Sequence, residues 1–560
     1  MPKAVELLRQ GRNEELWQMC CGFLNLSLNE FMAIQKRLLL EQMELLYRSQ
    51  LGKKIMRGHK PETIEEFRQQ VPLTAYADYC PELLEKKEDV LPVKPVMWVR
   101  TSGRSGEYPC RWIPVTPAGS HELSVLSYGI AMISSSKCWG DSSQFPELPR
   151  VFYTVAPPPY MSGAMAHFME QQTPLNHMPA LKQAEGMSYQ DRIKLGFKQA
   201  LSEGIDYFFG LSLVLAAVGD KLNQSSAKAN IRQLLTRPKA MIRLTRGIIR
   251  SKIAGRQMLP RDLWSVKGII SGGLDSWVYR DKIKQLWGRY PLDVYATTEG
   301  AVIATQLWDY ESMTFVPNLN FLEFMPEEEH FKWQMDRSYQ PRTVLLDEVR
   351  PGENYELIIT NFHGGPLVRY RIGDMIKITS MQNEKVGVAL PQMVFERRAD
   401  GLINFVVVQL TEKLVWQAIE KTGIAYEDWT AYKIPGESVL RVLIELKNGF
   451  QGDGPGIAAA IREQILKSGD GNNGMSGVLE DLTDMVDFNV EVALLPFGAF
   501  ANYMAQKQAE GVDLAHLKPP HLNPSDQVLS LLLGEREEVI VVSKTRSEAE
   551  IETKTEKIPS

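Results

Sequence analysis

Val266-Lys-Gly-Ile-Ile-Ser-Gly-Gly273, residues 277–287 and Leu292-Asp-Val-Tyr295 read in order as strand, turn, helix and strand. Short Ile- and Val-rich runs separated by an amphipathic stretch are the pattern of a parallel α/β sheet. Upstream, Pro95-Val-Met-Trp-Val99 reads as a buried strand and residues 120–136 as a helix, a strand–loop–helix unit. Arg150-Val-Phe-Tyr-Thr-Val-Ala156 is a strand stopped by Pro157-Pro-Pro159. Residues 189–255 read as helical, with the apolar run 205–219 as a buried core helix, too short for the roughly twenty residues of a membrane span.

The N-terminal segment 1–60 is helical. Over 27–49 apolar residues recur at three- and four-residue steps, and Thr63-Ile-Glu-Glu66 is a capping box whose helix ends near Val71-Pro72. Strand-forming runs follow downstream: Phe321-Leu-Glu-Phe324, Tyr355-Glu-Leu-Ile-Ile-Thr360, Leu367-Val-Arg-Tyr370, Met375-Ile-Lys-Ile378 and residues 402–408. The charged, Gly-ended stretch Glu396-Arg-Arg-Ala-Asp-Gly401 marks a joint. Beyond it come a helix (411–422), a strand (440–447), a helix (456–468) and a strand (487–494). The fold class is therefore α/β: a large N-terminal domain, 1–398, with mixed and parallel sheets, and a smaller mobile α+β domain, 399–543. Residues 544–560 carry little apolar content and read as a disordered tail.

Bulk properties narrow the function. At 560 residues the chain exceeds one compact core. A net charge of -5 gives no electrostatic ground for nucleic-acid binding. Five cysteines without a CxxC pair fit a reducing cytoplasm better than a disulfide framework. No GxxxxGK[ST], GxSxG or HExxH segment is present, which argues against a P-loop NTPase, an α/β-hydrolase and a zinc peptidase. Residues 228–256 hold nine Lys/Arg and no acid. They read either as a solvated helix packed through Ile231, Leu234, Leu235, Ile242, Leu244, Ile248 and Ile249, or as a landing strip for an anionic group. Peripheral membrane contact needs an exposed apolar face as well.

Three polar clusters sit at loop positions. Thr101-Ser-Gly-Arg-Ser-Gly-Glu-Tyr-Pro109 alternates glycines with hydroxyls, the composition of an anion-binding nest. Tyr295-Ala-Thr-Thr-Glu299 leaves a strand end, where open sheets bind ligands, and offers one carboxylate for Mg²⁺. Tyr370-Arg-Ile-Gly-Asp374 puts a carboxylate on a Gly turn, suited to gripping two ribose hydroxyls. Singly, each is also an ordinary turn or helix cap.

In this order the set resembles the adenylate-forming superfamily, and within it the Gretchen Hagen family of plant auxin-responsive acyl acid amido synthetases, which has bacterial relatives. The resemblance implies adenylation of a carboxylic acid by ATP with Mg²⁺, then transfer of the acyl group to an amine such as an amino acid's. By the same resemblance Ser102, Gly103, Ser105 and Gly106 hold the β,γ-phosphates with Thr297 and Thr298 nearby. Glu299 holds Mg²⁺, Tyr295 stacks near adenine and Asp374 binds ribose. Arg371 and Arg398 reach the ribose or α-phosphate, Arg398 being alternatively a hinge ion-pair residue. Arg111 stands in for a lysine that the family carries after its first loop, and Asp400 is the pivot. Lys518, in Leu517-Lys-Pro-Pro-His521, neutralises the α-phosphate, or is a surface lysine before a Pro turn. Two alternatives keep part of this reading: transfer to coenzyme A or another thiol, or a non-catalytic relative binding nucleotide or a membrane surface.

Overall fold

The computed structural model describes residues 2–101, 110–142, 145–210, 212, 215–216, 219, 238–272, 276–336, 338–399, 403–404, 409–434, 439–450, 452–468, 488–509, 520–524 and 526–533. The tail 544–560 lies outside them, as do residues 228–237 and 405–408. The chain divides into two compact units between Ala399 and Asp400.

In the first unit β1 (Met97–Arg100) and β2 (Trp112–Val115) form an antiparallel hairpin. The strand–loop–helix expectation is thus corrected. A second strand intervenes before the helix Pro117–Ser135, hidden in the sequence because Pro114 interrupts an otherwise apolar run. An eleven-stranded mixed sheet then follows. Its strands are β3 (Arg150–Tyr153), β4 (Asn176–Met178), β5 (Tyr207–Gly210), β6 (Gly268–Ser271), β7 (Leu292–Thr297), β8 (Ala301–Gln306), β9 (Met313–Phe315), β10 (Asn320–Pro326), β11 (Asn354–Asn361), β12 (Tyr370–Ser380) and β13 (Gln392–Arg398). Strands β3 to β7 pair in parallel; from β7 through β8, β9, β13, β12, β11 and β10 every pairing is antiparallel. Strand β7 is the switch point.

Two further expectations change. The apolar run after Glu203 is not helical at its start: Gly204, at φ +94°, ends the helix Tyr189–Glu203, and Tyr207–Gly210 becomes a central strand. A short aromatic run of this kind has no periodicity that separates strand from buried helix. Likewise Tyr370–Asp374 is not a turn but the start of β12. Gly373, at φ +78°, lets the strand depart from regular pairing there, and register with β13 shifts after Met375.

The helix Leu28–Arg48 starts where Ser27 accepts a hydrogen bond from the Glu30 amide and Glu30 reciprocates. Its buried face carries two glutamines among the apolar residues. Gln35 Nε2 donates to the carbonyls of Pro317 (2.6 Å) and Asn320 (2.8 Å), and its Oε1 accepts from the Leu322 amide. Gln35→Leu strands three backbone groups. We expect a loss of about 2–3 kcal/mol in urea denaturation, whereas a purely space-filling role for Gln35 predicts no loss.

In the second unit a three-stranded sheet of β16 (Tyr426–Lys433), β17 (Val439–Leu446) and β18 (Asn489–Leu495) follows the two-residue strands β14 (Ile403–Asn404) and β15 (Gln409–Leu410). Alternate residues of β17 separate two cores. Leu440, Val442 and Ile444 pack with residues of the helices Glu412–Lys421 and Gly454–Ser468, and Leu443 packs with residues of Ala499–Ala509 and Asp526–Leu533.

His521 stacks on Trp429 (4.6 Å between centroids) and hydrogen-bonds Glu412 and Asp428, each at 2.8 Å. Burial alone would push the imidazole down; the two carboxylates outweigh it and lift it to about 9. A raised folded-state value means full stabilisation below the unfolded value of 6.5 and loss as pH rises through about 9. Melting of this unit should therefore fall by on the order of 2 kcal/mol between pH 7 and 10, and His521→Gln should flatten that dependence.

Candidate active site

The phosphate-loop candidates Ser102, Gly103, Ser105 and Gly106 lie outside the described residues, as do Lys518 and Asp400. The ends of the first loop are described. The Thr101 amide donates to the Arg111 carbonyl (3.0 Å) and the Arg111 amide to Thr101 Oγ1 (3.0 Å), closing the hairpin mouth. Arg111 is thereby fixed in backbone at the loop's foot, with its guanidinium 5.9 Å from the Tyr76 ring centroid.

That guanidinium meets the other two clusters. Arg111 Nη1 donates to Tyr370 Oη at 3.1 Å and to Glu299 Oε1 at 3.4 Å, with Glu299 buried at 9% exposure. Burial, with Glu299 adding to it, pushes the Tyr370 phenol up, so it stays protonated. Glu299 is carried by the tight connection between β7 and β8. Thr297 Oγ1 accepts from the Gly300 amide (2.8 Å), Thr298 is half-buried beside it, and Ala301 takes a left-handed φ of +52°. Two asparagines missed by sequence reasoning pin this turn. Asn361 Nδ2 donates to the Glu299 carbonyl (3.0 Å), Asn320 Nδ2 to the Gly300 carbonyl (2.7 Å), and the two amides bond each other at 2.9 Å. They are register partners on β10 and β11, so the only sequence signal was a polar residue at each strand's end.

Tyr295, on β7, donates its hydroxyl to Asp374 Oδ2 at 2.7 Å, and both residues are buried. Its ring packs tilted against Phe395 at 6.1 Å. Asp374 on β12 is the register partner of Arg398 on β13, whose side chain lies outside the described set. The Ala399 amide donates to the Gly373 carbonyl (2.8 Å), tying the third cluster to the end of the first unit.

Arg371 is not brought to this site. Its guanidinium is bound to Glu356 (2.9 and 2.7 Å) and stacks 3.5 Å from the Trp333 ring centroid. His330 closes the same group by a 2.6 Å bond to Glu356. Burial pushes Glu356 up, but the bonds to His330 and Arg371 outweigh it and hold it below the ordinary range. Adjacent strand residues face opposite sides, so the neighbour of Tyr370 looks away from Arg111.

The model "GH3 family N-terminal domain" matches residues 21–151 and "GH3 family central domain" residues 313–398. A jasmonoyl–L-amino acid synthetase of Nicotiana attenuata (JAR4) is 32% identical over 169 residues, 29% of this chain and 27% of the relative. An indole-3-acetic acid-amido synthetase of Arabidopsis thaliana (GH3.17) is 26% identical over 256 residues, 40% of this chain and 39% of the relative. The matched segments span about a quarter of the length of the first of these curated relatives. The solved structure of AtGH3.15 acyl acid amido synthetase in complex with 2,4-DB superposes with a TM-score of 0.63 at 17% identity, covering 92% of this chain and 95% of that one. A 2-hydroxyisobutyryl-CoA ligase in its postadenylation state gives 0.56 at 13% identity, covering 90% and 92%. Two GH3 family models thus match this chain in order, over residues 21–151 and 313–398.

Proposed function

We propose that the chain is an ATP-dependent, AMP-forming acyl acid amido synthetase. A carboxylate oxygen attacks the α-phosphorus of ATP and pyrophosphate leaves with its bridging oxygen. An amine then attacks the acyl carbon, loses a proton and expels AMP, giving an amide. The observation that carries this reading is the meeting of Arg111, Glu299 and Tyr370, from three distant stretches, beside the switch-point end of β7.

Arg111 places fixed positive charge where phosphate charge accumulates, at the foot of the Ser/Gly loop. Asp374, oriented by the Tyr295 hydroxyl, grips the ribose hydroxyls. Glu299 fits a Mg²⁺ that arrives on the triphosphate, since such an ion needs one or two protein carboxylates. The 3.4 Å contact to Arg111 is long for a charge-assisted bond. Mg²⁺ there supplies charge neutralisation of the phosphates.

Hydroxylamine trapping over a panel of carboxylic acids reads adenylation without knowledge of the acceptor. Amine and thiol panels then identify the second step. A thioester formed with no amide would sink the amido synthetase reading, and absence of acid-dependent pyrophosphate exchange would sink adenylation itself.

A further inference from the structure

The helix Pro238–Ile253 presents its apolar side chains to solvent. The packing role expected from sequence for Ile242, Ile248 and Ile249 is corrected: they are 54, 46 and 52% exposed, and Met241 and Ile253 are exposed too. The helix docks instead through the small residues Ala240, Gly247 and Ser251 and half-buried Leu244. Ala240, Gly247 and Ser251 follow seven- and four-residue steps. So do Ile242, Ile249 and Ile253, displaced by two residues, about 200° round the helix. The outward row is therefore almost diametrically opposite the docked row. Of eleven large hydrophobic residues exposed among the described residues, five are on this one helix, which marks a patch rather than scatter.

Charge accompanies the patch. Arg243 is bound to the carbonyls of Ala200 and Leu201, Arg250 to that of Asp262, and Arg256 to the Asp262 carboxylate, so these three fix the helix to the body. Lys239, Arg246 and Lys252 flank the apolar row, are exposed, and form no ion pair with any described residue. No acid occurs from 228 to 256.

We propose that this helix is a docking surface for an anionic lipid bilayer, lying in the interface plane with Ile242, Ile249 and Ile253 among the acyl chains and the basic side chains at the headgroups. An apolar row bordered by unpaired cations is complementary to that surface, whereas an acidic protein partner would leave the isoleucines without a counterpart. No helix among the described residues is long and apolar enough to cross a membrane, so the contact is peripheral.

The test is sedimentation of the full chain with vesicles of phosphatidylcholine alone or mixed with phosphatidylserine. Binding should be about ten-fold or more stronger to the mixed vesicles and should weaken with salt. Ile242→Asp with Ile249→Asp should reduce it about ten-fold at unchanged melting temperature, whereas Leu40→Asp, at an exposed position of the helix Leu28–Arg48, should not. Lys239→Glu with Arg246→Glu and Lys252→Glu should abolish the preference for phosphatidylserine, and carries the test should the isoleucine variant misfold. Equal retention of all variants, no binding to mixed vesicles, or self-association lost in the isoleucine variant without vesicle binding would each overturn the proposal.

Discussion

Asp374→Asn should lower kcat/KM for ATP in acid-dependent pyrophosphate exchange by about 100-fold, mostly through KM. The carboxylate is buried and already accepts a 2.7 Å bond from Tyr295. A ligand with two vicinal hydroxyls would add charge-assisted bonds to this carboxylate, each worth about 1.5 kcal/mol or more. The amide keeps the shape and can still accept from Tyr295, so the fold should survive and the loss should be one of binding common to ground and transition state. Tyr295→Phe removes only the orienting bond and should cost about five-fold. The discriminating measurement uses 2′-deoxyATP. The native chain should lose much of its advantage with that nucleotide, while Asp374→Asn should be nearly indifferent to it. Equal discrimination by both would move the ribose site elsewhere.

Local signals carried much of the architecture. The hydroxyl caps at Ser27, Thr63 and Thr411 each accept from the amide three residues on, so three helix starts follow from sequence alone. The strand–helix–strand run ending at β7 was legible for the same reason: its periodicity changes within a few residues. What escaped was set by partners far away in the chain. Strand β2 pairs with β1 across the loop between Thr101 and Arg111 despite its proline. Gln35, Asn320 and Asn361 matter because their amides satisfy backbone groups hundreds of residues distant or across a sheet, and no local pattern encodes that. Arg371 shows the converse case. The resemblance implies a contact to the ribose or α-phosphate, whereas strand alternation turns its side chain toward Glu356 and Trp333.

Arg369, at a left-handed φ of +44° just before β12, carries a load that its sequence neighbours conceal, and Glu323→Leu should destabilise the first unit by about 3–5 kcal/mol. Arg369 and Glu323 are 5 and 1% exposed and pair through two bonds of 3.0 and 2.9 Å. Arg369 Nη1 also donates to the carbonyls of Arg68 and Val71, at the C-terminal end of the helix Ile64–Gln70, where a cation suits the helix dipole. Thr343 donates to Glu323 as well. Removing the carboxylate leaves a guanidinium buried without its counter-charge, which costs more than the pair itself contributed. Arg369→Met combined with Glu323→Leu should therefore recover most of the loss, although neither change alone does. Hydrogen exchange of peptides spanning β10 to β12, read beside urea denaturation, locates the effect in the first unit. If the double variant were as unstable as the sum of the two single ones, the energy would reside in packing or in the helix-end bonds rather than in charge pairing.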